Sequence, residues 1–261
     1  MLLSSTLEAI GHTPLVALDR LRAAEGARVA AKLEYFSPGA SVKDRAALWV
    51  IEEAERSGRL RPGGTVVELT SGNMGVGLSV VCAVKGYRMI AVMSEGNSVE
   101  RRQMLEAMGA TVELVPQAPG SVPGQVSRED LALVEERAKA LTVGLGAFRA
   151  DQFHNPACVR AHEETTGEEI WSQTEGHVAA FVAAVGTGGT FLGVARALKR
   201  HDRRIQCIAV EPESARVIAQ RPVISTSHKL QGTGYAAIPP LWDESLCDGA
   251  LGITDDEASA T

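Results

Sequence analysis

Three short stretches carry residues whose type and spacing suit covalent chemistry on a small anionic molecule. The first is YFSPGASVKDRAALWVIEEAERSG, in which Pro38 and Gly39 break the chain, Ser41 can cap a helix and Asp44 completes an S-x-x-D pattern. That spacing puts Lys43 in the first helical turn, where the helix macrodipole disfavours positive charge and the free amine becomes easier to reach. A nucleophilic lysine needs such a bias. On the local pattern alone, a solvated lysine at a helix start is the commoner reading. The second stretch is TSGNMGVG, from Thr70 to Gly77, between a predicted buried strand and a helix. There backbone N–H groups and hydroxyls can converge on a carboxylate or phosphate, and Asn73 can reach a ring oxygen of a cofactor. An ordinary βα turn, with Asn73 and glycines in tight conformations, accounts for it equally well.

The third stretch, VAAVGTGGTFLGVARALK, runs as strand, glycine turn and helix, an arrangement that offers backbone donors to a phosphate at a helix N-terminus. Gly186, Gly188 and the distant acid Glu211 imitate part of a dinucleotide fingerprint. The sixth position of G-x-G-x-x-G is Phe191, whose ring obstructs the close approach a glycine permits there, so a compact monophosphate is the better guest. No G-x-x-x-x-G-K-[ST] and no G-x-S-x-G occurs. His154, His162 and His177 read as surface or helix-packing residues, and Gln152, just ahead of a helix, can cap backbone or reach a ligand.

Positioning these residues requires alternating strands and helices. From Thr65 onward, short β-branched runs alternate with helical patterns at switches marked by Gly, Ser or Asn, the signature of βαβ units around a parallel sheet. Strands are predicted at 65–69, 88–93 and 111–115, with a helix ending at Gly86 and another running from Ser98 as N-cap to just before Gly109. Residues 116–127 form a Pro- and Gly-rich excursion, and Ser127 with Asp130 resembles a capping box for a helix over 128–140. A domain boundary falls near residue 150. Beyond it come a helix opened by Asn155-Pro156, a strand over 178–185, a helix over 190–200 and a strand over 205–211.

The 261 residues suffice for one large α/β domain or two modest ones. A net charge of −6, with no run of Lys or Arg, argues against nucleic acid as a partner. The first twenty residues lack a basic start followed by an apolar block, and no apolar run approaches the roughly 18 residues of a membrane span, so a soluble cytoplasmic protein is expected. Cys82, Cys158, Cys207 and Cys247 are far apart and read as free thiols, with no support for a metal site or a disulfide framework.

Taken in order, IGHTPLVAL, KLEYFSPGASVKDR, ELTSGNMGVGL, SVERRQMLEAMGA, DQFHNPA, TTGEEIW, VAAVGTGGT, VEP and HKLQGTGYAAIP resemble the cysteine synthase (O-acetylserine sulfhydrylase) family. This belongs to the fold-type II pyridoxal-phosphate enzymes, which also hold cystathionine β-synthase. The resemblance runs from about Ile10 to Pro239 and is far more specific jointly than in any piece. It implies two three-layer α/β domains with mostly parallel sheets, like the tryptophan synthase β-subunit: an N-terminal segment (1–42) packing mainly on the larger domain, a smaller domain (43–150) and a larger one (151–261). It makes Lys43 the Schiff-base lysine, Asn73 the partner of the cofactor ring, and Gly186, Thr187, Gly188, Gly189 and Thr190 the phosphate cradle. Substrate binding falls to Thr70, Ser71, Gly72, Asn73, Met74 and Gln152, with Gly232 in a mobile loop that continues through Thr233 and Gly234.

The implied reaction is β-replacement on an O-activated serine through an aminoacrylate, with sulfide as nucleophile in the cysteine synthases and homocysteine in the cystathionine β-synthase alternative. A shortened, non-catalytic ligand-binding protein is the reading from another class. The resemblance also implies a homodimer and the C-terminal tail of serine acetyltransferase as a partner. Three departures stand out: Met74 replaces the usual threonine and its hydroxyl, Ala40 replaces a glycine, and Ser94 replaces a proline. At DDEASAT relatives begin another helix and continue to a Ser or Thr that binds the pyridine nitrogen. No residue here takes that role, and a shortened C-terminal domain with reduced stability or activity is expected.

Overall fold

A computed structural model of the chain describes residues 2–21, 26–226 and 228–260. The backbone forms two α/β units, one holding residues up to Thr13 with Glu34–Gln152, the other Pro14–Leu33 with the residues from Phe153 onward. Of the first 42 residues, Pro14–Leu33 clusters with the second unit and the others with the first. That stretch carries an antiparallel pair, β1 (Leu15–Ala17) and β2 (Ala30–Lys32). Lys32 Nζ anchors it by donating to Glu169 at 2.7 Å and Gln173 at 2.9 Å.

After short 3-10 turns at Thr6–Ala9 and Glu34–Phe36, the first unit runs through α1 (Lys43–Arg56), β3 (Thr65–Leu69), α2 (Asn73–Lys85), β4 (Arg88–Ser94), α3 (Val99–Ala107), β5 (Thr111–Val115), α4 (Arg128–Gly144) and β6 (Phe148–Arg149). Its sheet is parallel throughout, in the order β5-β4-β3-β6, with Val67 opposite Ile90. Parallel strands buried on both faces need near-continuous apolar runs, which TVVEL and RMIAVMS supply. Val67, Ile90, Val92 and Val115 pack with Val134 and Ala138 of α4. The predicted capping box at Ser127 and Asp130 is formed. Asp130 also accepts from the Ala118 N–H at 2.7 Å and the Ser121 hydroxyl at 2.9 Å, so one carboxylate ties the excursion to α4. These donors, led by the Ser127 N–H, hold the Asp130 carboxyl far below the ordinary carboxylate range.

The pattern ahead of α1 behaves differently. Ser41 Oγ accepts from the Lys43 N–H at 3.2 Å, while Asp44 turns back to accept from the Gly39 N–H at 2.5 Å, so no capping box closes. Ala40, between them, has φ +56°, the left-handed conformation that explains why glycine is usual there. That conformation costs an L-residue roughly 1–2 kcal/mol, partly offset by the roughly 0.5–1 kcal/mol of extra chain entropy a glycine loses on folding. Ala40→Gly is therefore expected to stabilise the protein by about 0.5–1 kcal/mol. An upward shift of the urea midpoint checks this, and a downward shift would show that the methyl group contributes packing.

The second unit runs through α5 (Ala157–Ala161), a π-helical turn (His162–Thr166), α6 (Gly167–Gln173), β7 (Ala180–Ala184), α7 (Gly189–His201), β8 (Gln206–Pro212), β9 (Gly249–Ile253) and α8 (Asp255–Ala260). Its sheet is also parallel, in the order β7-β8-β9. Phe191, Leu192, Val194 and Leu198 of α7 pack with Val159, Ile170, Val185 and Cys207. Asn155 opens α5 as expected, its Oδ1 accepting from the Ala157 N–H at 3.1 Å. Among the described residues no helix is long and apolar enough to cross a membrane, and no disulfide joins the cysteines.

Candidate active site

In the first unit the site begins with close approach of two helices. A Cβ on Gly77 would lie 3.1 Å from both the Ala47 Cβ and the Lys43 carbonyl oxygen, so glycine lets α2 press against the start of α1. Gly77 stands one helical turn beyond Asn73, and the contact brings the Thr70–Met74 loop to the end of α1 that carries half-buried Lys43. That end is fixed from below. The buried Arg45 guanidinium donates to Glu34 at 2.7 and 2.9 Å and to the Thr13 hydroxyl at 3.1 Å. Asp44 is buried with Oδ1 unpartnered among the described residues, and burial raises its carboxyl above the ordinary range.

The loop itself divides its labour. Thr70 is buried and its Oγ1 accepts from the Gly75 N–H at 3.0 Å and the Gly72 N–H at 3.4 Å, so this hydroxyl shapes the turn. Ser71 and Gly72 are half-buried and Asn73 is exposed at the first position of α2, where backbone N–H groups lack intrahelical partners. Met74 is 2% exposed, and its side chain belongs to the core. From α3 the Arg101 guanidinium reaches the Ser71 carbonyl at 3.3 Å and hydroxyl at 3.4 Å, setting a positive charge on the loop.

Gln152 follows β6, which neighbours β3, so it stands at the same carboxyl edge of the sheet as Thr70. Glu68 holds it there. This wholly buried carboxylate accepts from the Asp151 N–H at 2.8 Å and the Gln152 N–H at 3.3 Å and pairs with Arg149 at 3.1 Å. Burial raises its carboxyl above the ordinary range, against the guanidinium and the two N–H donors. Asp151 has φ +48°, a strain that the Glu68 anchor maintains.

In the second unit the glycine turn joins β7 to α7. Gly188 has φ +87°, and α7 starts at Gly189, so first-turn N–H groups point out of the helix end. Thr187 is buried, and Thr190 is half-buried with its Oγ1 at 3.2 Å from His162 Nε2. The loop of Gly232–Gly234 packs on this turn: a Cβ on Gly186 would collide with the Gly232 carbonyl oxygen, and the Gly234 N–H donates to the Val185 carbonyl at 3.1 Å. Glu211 does not face a ligand. It is buried and accepts from the Ile218 N–H at 2.7 Å and the Ala219 N–H at 3.0 Å, which leaves the dinucleotide imitation without its acid.

Each unit thus gathers its own residues: Lys43, Thr70–Met74 and Gln152 in the first, Gly186–Thr190 and Gly232 in the second. Sequence reasoning missed Arg101, Glu68 and His162. Glu68 left a signal, a lone acid inside the apolar run TVVEL, since an unpaired buried charge is rare. Among the described residues no cluster of His, Cys, Asp and Glu could hold a metal ion.

The model of the family described as "Pyridoxal-phosphate dependent enzyme" matches residues 6–261. The chain is 44% identical over 254 residues to a cysteine synthase of Staphylococcus aureus, covering 95% of this chain and 77% of that one. It is 41% identical to cysteine synthase A of Escherichia coli over 97% of this chain and 76% of the relative. Among solved structures it is similar to an O-ureido-L-serine synthase, with a TM-score of 0.89, 38% identity, and coverage of 100% of this chain and 79% of the other. A cysteine synthase of Entamoeba histolytica superposes with a TM-score of 0.88 at 38% identity, over 99% and 74% of the two chains.

Proposed function

Because the chain belongs to the family of pyridoxal-phosphate-dependent enzymes, we propose that it makes cysteine from O-acetylserine and sulfide, with Lys43 as its catalytic amine. One observation carries the assignment of roles: Gly77 seats α2 on the Lys43 carbonyl, so the amine and the Thr70–Asn73 loop share one place in the first unit. The cysteine synthases that match nearly the whole chain support the choice of reaction over condensation of serine with homocysteine.

The residues present fit the cofactor. The turn at Gly186–Thr190 offers a left-handed glycine, helix-start N–H groups and two hydroxyls to a phosphate, and bare glycines at 186 and 189 let it pack against the Gly232 and Cys158 carbonyls. Lys43 would hold the cofactor through its amine and Asn73 would reach its ring oxygen. When bound, pyridoxal phosphate supplies an electron sink for the charge left as the α-proton departs. Lys43 Nζ takes that proton and later returns it to the same carbon. The loop residues Ser71, Gly72 and Asn73, with the backbone N–H of Met74, bind the substrate carboxylate, and Arg101 adds its positive charge. Thr70 keeps the loop in shape, Gln152 contacts the substrate from the neighbouring strand end, and Gly232 borders the phosphate turn. The working form in this reading is a cytoplasmic homodimer that also binds the C-terminal tail of serine acetyltransferase.

The test supplies the chain, loaded with pyridoxal phosphate, with O-acetylserine and sulfide, and separately with serine and homocysteine. Cysteine from the first pair, at a rate well above any thioether from the second, is the expected result. Faster thioether formation would overturn the substrate choice, and no product from either pair would overturn the enzymatic reading.

A further inference from the structure

The segment that precedes β7 is pressed unusually close to α7. A Cβ on Gly193 would collide with the Val159 carbonyl and lie 2.7 Å from both the His162 Cβ and the Glu163 nitrogen. One turn earlier, a Cβ on Gly189 would lie 3.1 Å from the Cys158 carbonyl oxygen, and across the contact one on Gly167 would collide with Ala197. Gly193 and Gly167 admit no side chain and Gly189 barely does, and the backbone they admit is the π-helical turn of His162–Thr166, a form frequent at functional sites. The result is that the imidazole of His162, 1% exposed, lies between two hydroxyls: Nδ1 is 2.9 Å from Thr166 Oγ1 and Nε2 is 3.2 Å from Thr190 Oγ1.

The hydrogen-bond network determines the tautomer. Thr166 is buried, and the partner of its hydroxyl among the described residues is His162 Nδ1. A buried O–H must donate, so Nδ1 accepts and the ring proton sits on Nε2. Nε2–H then donates to Thr190 Oγ1, which leaves the Thr190 hydroxyl proton for another acceptor. In the opposite tautomer Thr190 would spend its proton on the ring and present only lone pairs to an anion.

We propose that His162 is a positioning residue for the cofactor's phosphate: through Thr166 it is held as the Nε2–H tautomer, and it thereby fixes Thr190 as a hydrogen-bond donor to that phosphate. This rests on the reading of Gly186–Thr190 as the phosphate cradle. The bound anion gains a charge-assisted hydrogen bond that a freely rotating hydroxyl would supply less well.

The experiment compares equilibrium binding of pyridoxal phosphate with binding of pyridoxal, which lacks the phosphate, by visible absorbance. The preference for the phosphorylated form is expected to fall about tenfold or more in His162→Leu. It should recover in part in His162→Gln, whose amide N–H can replace Nε2–H. Thr190→Val should lower the same preference, and His162→Leu added to it should lower it no further. If the parent protein shows no preference, or Thr190→Val leaves it unchanged, the phosphate-cradle reading fails and the proposal with it. If Thr190→Val lowers the preference and His162→Leu does not, the cradle reading stands and the proposal is overturned. Should the His162 variants not fold, Thr166→Val keeps the imidazole and removes only the group that sets its tautomer. That variant is expected to lose about fivefold in preference, and an unchanged preference would overturn the proposal.

Discussion

Lys43→Ala is expected to lower the rate of cysteine formation from O-acetylserine by about a thousandfold or more, because one side chain is assigned both the covalent hold on the cofactor and the transfer of the α-proton. Stability should change by less than about 1 kcal/mol, since Lys43 occupies the first position of α1, where alanine is well tolerated and loss of a positive charge is favoured by the helix dipole. The separation of the two effects distinguishes a chemical role from a structural one. Steady-state kinetics and urea denaturation measure them independently, and added methylamine should restore part of the rate if the missing group is an amine. A loss smaller than tenfold would remove Lys43 from the chemistry. Lys85→Ala is the matching control: Lys85 pairs with Glu55 at 2.9 Å on the far end of α2, and its loss should leave the rate unchanged.

The elements were legible where the determinants are local. The strands Thr65–Leu69 and Thr111–Val115 follow from β-branched runs bounded by turn residues, and the capping box at Ser127 needs only a partner three residues on. The start of α1 was equally legible, yet the partner of Asp44 was not, because the left-handed Ala40 turns the carboxylate onto Gly39. Distant partners account for what was missed at the site. Glu68 gains its function from Arg149, 81 residues later, and the π-helical turn at His162 exists because Gly193 leaves room for it. Thr70 and Met74 show a further limit. A loop sequence tells which residues are present, while their facing is set by burial: Thr70 points its hydroxyl at the Gly75 N–H, and Met74 enters the core.

Gly186→Ala is expected to weaken binding of pyridoxal phosphate by roughly tenfold to a hundredfold, the scale of losing one hydrogen bond to a charged group. The added methyl group would collide with a backbone atom, the Gly232 carbonyl oxygen, with the Tyr235 ring 3.6 Å away, so no rotamer change relieves it. Retreat of the Gly232 loop is also opposed. Its Gly234 N–H is bonded to the Val185 carbonyl at 3.1 Å, a contact that retreat would break. The turn that carries the phosphate donors must therefore move, at a cost in stability of about 1–3 kcal/mol. Because a loss of stability alone could lower occupancy, Gly58→Ala serves as the comparison. Gly58 has φ +71° with open space around it, so alanine there is strained by about 1–2 kcal/mol without touching either loop. If the two variants lose similar stability and only Gly186→Ala loses affinity, the turn between β7 and α7 holds the cofactor. If both bind equally well, the packing of Gly232 on Gly186 serves the fold alone, and the phosphate must be held elsewhere.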